Sequence, residues 1–430
     1  MTESIDNKYR RYRRRVMLAI TLGYGFLYTC RLALSVVKKP LIDNGIFSVE
    51  ELGMIGAAML YGYAFGKLIN GFVADHVSPR LFFAVGILMS ALVNLSMSTS
   101  MVVWLSIALW GLNGWFQSFG APSSVITLTN WFAPHERGRY YGIWSASHAV
   151  GEGMTFYITA AIVAAWGWQA GFIAPGLFCV CVAAWVYAYL QNAPQTLGLP
   201  TIQEWRNDKW EDDGTTISAA STWKLQKTVF AIPAIWVIAV SSALMYVTRY
   251  GINSWGVLYL QEARGYSLLD AGLFLSINTI AGIAGSVAYG YISDKWFNAR
   301  RPPANFLFAL VEVVALLLIF YGPQNEYLLG FAFALYGAGL SGLIASVGGL
   351  FAVDIAPGRA AGAALGFVGI FSYVGAALQE NVSATLISRG MTVIGDTRLY
   401  DFDAVVMFWI GCSVISMLLA ATLWNARVRD

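Results

Sequence analysis

The residues best suited to chemistry in this 430-residue chain are charges set inside long apolar stretches. Two of them are arginines, Arg31 and Arg249, 218 positions apart, each preceded three residues earlier by a tyrosine, Tyr28 and Tyr246. A guanidinium is planar, stays charged at any relevant pH and donates two parallel hydrogen bonds to an oxyanion. Inside a membrane span such a charge is costly and ordinarily faces a partner or a cavity. Two facing arginines repel each other, and neither has an acid at the same depth in its own stretch. A dianionic ligand between them resolves both problems. The competing arrangement pairs one arginine with Glu152 or Glu380 for structure alone.

Other candidates gather around this pair. His148 can titrate near neutral pH. Glu152 follows it by four residues, hence on the same helix face, where a carboxylate would stabilise the charged imidazole. Lys67 either snorkels to the interface or adds positive potential to a vestibule. Glu152, Glu312 and Glu380 are candidate proton carriers or partners of internal bases, and Glu380 is placed near the outer end of its span, where its cost is low. Tyr24, Tyr336 and Tyr373 join Tyr28 and Tyr246 as neutral donors. The four cysteines, Cys30, Cys179, Cys181 and Cys412, lie within apolar stretches and show no metal-ligand spacing. No metal, cofactor, nucleophile–base set or phosphate-cradling loop is expected, so neither is an enzyme.

The elements that position these side chains follow from composition. Hydrophobic residues make up 57% of the chain and charged residues 12%, about half the charge of an ordinary soluble protein. Apolar runs of about 20 residues span a bilayer as helices. Twelve are read, near 16–37, 50–74, 81–100, 102–127, 139–164, 168–190, 230–260, 268–292, 303–322, 326–352, 360–388 and 402–425. They form an all-α membrane protein of two pseudo-symmetric six-helix halves, 1–190 and 230–430, joined by a charged linker, 191–229. With the N-terminus inside, nineteen Lys and Arg fall in cytoplasmic segments and five on the opposite side. That bias places both termini in the cytoplasm.

The halves repeat. Gly71-Phe-Val-Ala-Asp75 followed by Arg80 matches Gly290-Tyr-Ile-Ser-Asp294 followed by Arg300 and Arg301, and Arg139 matches Arg359. Gly71 to Gly290, Arg139 to Arg359 and Arg31 to Arg249 have offsets of 219, 220 and 218. A carboxylate and an arginine at helix ends can pair, so Asp75, Arg80, Arg139, Asp294 and Arg359 are read as latches at the cytoplasmic end. Parallel six-helix repeats with a site between them are a recurrent transporter design.

With these residues in place, the chain resembles the organophosphate:phosphate antiporter family of the major facilitator superfamily. The resemblance rests on Tyr24-Gly-Phe-Leu-Tyr28-Thr-Cys-Arg31, Tyr61-Gly-Tyr-Ala-Phe-Gly-Lys67, Gly114-Trp-Phe-Gln117, Glu136-Arg-Gly-Arg139, Trp144-Ser-Ala-Ser-His148-Ala-Val-Gly151, Pro194-Gln-Thr-Leu-Gly-Leu-Pro200, Tyr246-Val-Thr-Arg249-Tyr-Gly251, Ser293-Asp-Lys295 and Ala360-Ala-Gly362. It implies a major facilitator fold and exchange of an organic phosphate for inorganic phosphate. Arg31 and Arg249 would bind the phosphate, His148 would assist, and Lys67 would attract anions; Trp144 joins the site through its motif. The chain departs from the family pattern at Leu32, Gly151-Glu152-Gly153, Thr279, Gly337-Ala338, Leu365 and Val368. The phosphate end is therefore kept, while the part facing the organic moiety is changed.

The expectation is a monomeric antiporter in a bacterial inner membrane, with a phosphorylated substrate, inorganic phosphate and lipid as partners and no nucleic acid. Two alternatives stay open: a transporter-like sugar-phosphate sensor, and a proton-coupled symporter using Glu152 or Glu312.

Overall fold

The computed structural model describes residues 5–206, 229–298, 300–356, 360–395 and 397–424. Each apolar run becomes a helix because a bilayer offers no water to backbone groups, so each span must satisfy them internally. The helices are α1 (Ile5–Asp43), α2 (Val49–Ala74), α3 (Pro79–Met97), a divided α4 (Val103–Gln117 and Gly120–Trp131), α5 (Pro134–Trp166) and α6 (Ala170–Tyr189). They continue with α7 (Pro233–Glu262), α8 (Leu268–Lys295), α9 (Arg301–Tyr321), α10 (Glu326–Ala345, running on through a π turn to Ile355), α11 (Ala361–Arg389) and α12 (Asp403–Thr422). Polar caps set several starts. Ser48 and Glu51 form a reciprocal capping box on α2, and Ser267 and Asn325 cap α8 and α10.

Eleven helices among the described residues are long and apolar enough to cross a membrane. The fourth run is the exception. It breaks at Ser118 and Phe119 into segments of 15 and 12 residues. Pro122 has no N–H to offer the Ser118 carbonyl, so a continuous helix would be interrupted there in any case. A two-stranded hairpin, β1 (Met391–Ile394) and β2 (Thr397–Tyr400), links α11 to α12. Of the linker 191–229, residues 207–228 lie outside the described residues, as does Arg359.

α1 is far longer than the run at 16–37. Its 39 residues extend about 58 Å at 1.5 Å per residue, against a hydrocarbon core of about 30 Å. The surplus at its start packs Tyr9 against Trp205 and Trp131, with ring centroids 4.2 and 5.7 Å away. The surplus at its end carries Lys38 and Lys39 along the bundle instead of into a loop.

Packing follows the repeat. α1 lies on α5 and α7 on α11, while α2 meets α11 and α5 meets α8 across the join; α1 and α7 touch between these pairs. Glycines allow the close approaches. A methyl at Gly151 would overlap the Gly25 carbonyl, and one at Gly337 would overlap the Asn278 carbonyl.

Candidate functional site

α1 and α7 bring Arg31 and Arg249 to the middle of the bundle, 4% and 8% exposed. One tyrosine serves both. Arg31 Nη2 donates to the Tyr250 hydroxyl at 2.9 Å, and the Arg249 guanidinium carbon lies 5.4 Å from the Tyr250 ring centroid. Arg31 also sits 4.2 Å over the Tyr63 ring and within 5.2 and 5.9 Å of Tyr28 and Tyr373. Such cation–π contacts each stabilise a desolvated guanidinium by about 0.5–2 kcal/mol. They leave hydrogen-bond donors unused, because a ring face accepts none in the guanidinium plane.

Arg249 has a different environment. Its Nη2 lies 3.6 Å from Glu152 Oε2, an ion pair contributed from α5 on the far side of the join. Glu152 Oε1 accepts from Asn253 Nδ2, and Asn278 Nδ2 donates to Asn253 Oδ1 at 3.5 Å. The arginine pair is thus not without an acid; the acid comes from another helix. Of the two roles read for Glu152, the structure shows the pairing with an internal arginine and not one with His148. His148 is half-buried, its ring 5.6 Å from that of Tyr28, and its Nδ1 meets the Ser145 carbonyl. A carbonyl only accepts, so Nδ1 carries the proton.

The remaining candidates form two aromatic walls and three separate residues. Tyr24, Tyr28 and Trp144 pack as an aromatic wall, Tyr24 being 5.7 Å from Tyr28 and 4.8 Å from Trp144. Tyr246, Tyr373 and Tyr63 form a second wall, with centroids 5.5 and 4.7 Å from Tyr373. Lys67 is exposed, its Nζ 5.3 Å from the Tyr373 ring, at the approach to that wall. Tyr336 is fully buried on α10, and its hydroxyl has no hydrogen-bond partner among the described residues. Glu312 stands apart, on α9 against Gly339 of α10, with Oε1 unpartnered among the described residues.

Glu380 is not at a low-cost outer position. It is 2% exposed, and its Oε2 accepts from Lys38 Nζ at 3.1 Å. Lys38 also donates to Ser254 Oγ at 2.6 Å and lies 3.3 Å over the Trp255 ring. The error has a physical source: α1 continues past residue 37, so Lys38 is held inside the bundle. Sequence reasoning also missed Tyr63, Tyr250, Asn253 and Asn278. The available signal was adjacency, since Tyr250 follows Arg249 and Tyr63 lies four residues before Lys67.

The latch residues behave unequally. Arg301 bonds Asp354 Oδ2 at 2.8 Å, Ser293 Oγ at 2.8 Å and Asp294 Oδ1 at 3.1 Å, tying α8 to α10. Arg80 instead donates to the Tyr187 carbonyl and lies 4.3 Å over the Tyr187 ring, while Asp75 and Arg139 are exposed. The Asp75–Arg80 pairing read from sequence is therefore not formed here. Among the described residues, no group of three or more His, Cys, Asp and Glu forms a metal site.

Known proteins place this architecture. Residues 17–379 match the family model described as Major Facilitator Superfamily. The membrane sensor protein UhpC of Escherichia coli (strain K12) is 33% identical over 87% of this chain and 86% of its own. A glycerol-3-phosphate transporter of Bacillus subtilis (strain 168) is 32% identical over 99% and 95%. A probable hexose phosphate transport protein of Chlamydia pneumoniae is 30% identical over 100% and 94%. Among solved structures, a bacterial homologue of the human lysosomal transporter Spinster superposes with a TM-score of 0.75 at 15% identity, over 97% of this chain and 95% of that one. The chain is a multi-pass membrane protein of transporter type and not an enzyme. It belongs to the Major Facilitator Superfamily, and within it to the organophosphate transporters and their sensor relatives.

Proposed function

We propose that this protein is a secondary active transporter that exchanges an organic phosphate for inorganic phosphate by alternating access. It works as a monomer in a bacterial inner membrane, with both termini in the cytoplasm. The observation that carries this reading is the meeting of Arg31 and Arg249 at Tyr250, where the two repeats join. A phosphate entering there takes the Tyr250 hydroxyl's place on Arg31 and competes with Glu152 for Arg249. Bound by both, it draws the halves 1–190 and 230–430 together. Closure then depends on an occupied site, which is the requirement for exchange. His148 presents Nε2 toward the phosphate, and Lys67 raises the local anion concentration at the approach.

The test is counterflow of labelled phosphate against a panel of phosphorylated metabolites in proteoliposomes. Arg31→Lys and Arg249→Lys keep the charge but lose the planar fork. Each is expected to lose about 1.5–3 kcal/mol of charge-assisted bonding, or tenfold to a hundredfold in rate. Wild-type flux in either variant overturns the arginine model.

A sensor reading is favoured by the similarity to UhpC. Saturable binding of a sugar phosphate without any counterflow would select it.

A further inference from the structure

The first turns of α1 carry more positive charge than their ion pairs use. Arg10, Arg13 and Arg14 line one cleft with Leu18 of the same helix and with Phe132 and Tyr140, which flank the start of α5. The cleft holds about 520 Å³, within the range of about 300–1,000 Å³ common for ligand sites. No carboxylate among the described residues lines it. Arg13 is already spent: it pairs with Glu136 and rests 4.5 Å over the Phe132 ring. Arg10 and Arg14 are exposed, and neither has an ion pair or hydrogen bond among the described residues. We propose that this cleft holds the headgroup of an anionic phospholipid, with Arg10 and Arg14 on its phosphodiester and an acyl chain running down α1 over Leu18 and Leu22. The inference does not depend on which substrate is carried.

Three arguments support it. The first is depth. The apolar run of α1 begins at residue 16, so Arg14 and Arg10 precede it by about 3 and 9 Å at 1.5 Å per residue. The headgroup layer is about 5–8 Å thick on each side of the hydrocarbon. Both guanidinium groups therefore reach headgroup level. The second is register. Arg10, Arg14, Leu18 and Leu22 recur every four residues, hence along one helix face. Leu18 and Leu22 are 54% and 40% exposed. Phe26, four residues further on, packs on Phe178 of α6, which is also exposed. An exposed apolar stripe within a span meets acyl chains, and this one leads directly from the two arginines.

The third argument is charge. Like charges four residues apart on a helix repel. One phosphodiester between them removes the repulsion and accepts the paired N–H groups of each guanidinium. A zwitterionic lipid would bring an ammonium into the field of three arginines, whereas an anionic one would not. Basic pockets beside membrane helices are established sites for anionic headgroups.

Native mass spectrometry of the full chain in detergent tests this. The protein is titrated with palmitoyl-oleoyl phosphatidylglycerol or with the matching phosphatidylcholine, and the affinity of the first retained lipid is read. The wild type is expected to hold phosphatidylglycerol at least about tenfold more tightly. Arg10→Gln combined with Arg14→Gln removes two charge-assisted contacts and should weaken it at least about tenfold, leaving phosphatidylcholine unchanged. Arg11→Gln combined with Arg15→Gln removes the same charge from residues outside the cleft and should weaken it less than about threefold. Equal retention of the two lipids, or equal losses in the two double variants, overturns the proposal and leaves the arginines as topological anchors or as a dock for an acidic protein segment. Thermal unfolding in the same detergent separates a lipid from a free phosphate ion. Any stabilisation that inorganic phosphate gives the wild type should persist in the Arg10→Gln, Arg14→Gln protein, whereas that given by phosphatidylglycerol should be lost. The reverse result makes the cleft an ion site and overturns the proposal. If the double variant does not fold, the single variants decide: each should bind phosphatidylglycerol at least about threefold more weakly, and unchanged affinity in both overturns it.

Discussion

The end of the bundle that bears the termini and the opposite end both hold ion pairs but use them differently. At the terminal end, Arg13 pairs with Glu136 at 2.5 Å, Arg206 with Glu136 at 2.8 Å, and Arg301 with Asp294 and Asp354. Each of these pairs stays on one side of the join. At the opposite end all but the Lys39–Asp43 pair within α1 cross it. Lys38 of α1 reaches Glu380 of α11, Lys39 of α1 reaches Glu262 of α7, and Arg398 of the hairpin donates to the Ile42 carbonyl. The glycines agree. A methyl at Gly53 or Gly56 would strike Glu380, and one at Gly272 would strike Phe156, whereas one at Gly71, Gly142, Gly290 or Gly362 would meet nothing within 4 Å among the described residues. Among the described residues the molecule is thus pinned across the join at the opposite end, whereas the terminal-end pairs stay within one half. Ion pairs become gates when they join elements that must separate, and remain staples when they do not.

The largest effect is expected from breaking one crossing pair. Lys38→Met leaves Glu380 buried without a cation, at a cost of about 3–5 kcal/mol in the closed state. That end should open. A cysteine placed at Ser35, in a background lacking the four native cysteines, should then react readily with a membrane-impermeant thiol reagent applied from that side. Adding Glu380→Met removes the stranded charge and should restore protection. If the single variant stays as protected as its parent, the crossing pair does not hold the closed end.

A smaller effect is expected at the terminal end. Arg301→Ala removes three hydrogen bonds, two of them to carboxylates, and should lower thermal stability by about 1–3 kcal/mol. Arg80→Ala removes one bond to a carbonyl and a ring contact, about 1 kcal/mol. Thermal unfolding in detergent ranks the two, and the reverse order would erase the difference between the repeats.

The smallest stability effect belongs to Asp75→Asn. The side chain is exposed, so unfolding should shift by no more than about 0.5 kcal/mol. Exchange should nonetheless slow at least about threefold, if Asp75 finds a partner once the terminal end closes. An unchanged rate would confine the latch to the second repeat.

Much of this was legible in the chain. Apolar runs fixed most spans because hydrophobic length against bilayer thickness is a one-dimensional property. The 218-residue spacing of Arg31 and Arg249 exposed the repeat because duplicated helices keep their register. The limits were also consistent. The fourth run was read as one helix, yet it is two, because run length carries no account of Ser118, Phe119 and Pro122 acting together. Lys38 lies one residue past the run at 16–37, and a hydropathy boundary says nothing of how far a helix continues.

Sequence alone therefore determined that the protein spans a membrane, that its halves repeat, and that Arg31, Lys67 and Arg249 lie within the spans, but not that Lys38 does. Only the tertiary structure decided what each cation faces. Arg31 meets tyrosines, Arg249 meets Glu152, and Lys38 meets Glu380, although nothing in their local sequence distinguishes these outcomes. The reason is that the deciding partners come from other helices: Tyr63 lies on α2, and Tyr250, Glu152 and Glu380 each lie in the other half from the cation they meet. Electrostatic energy depends on separation in space, which helix packing sets and residue spacing does not.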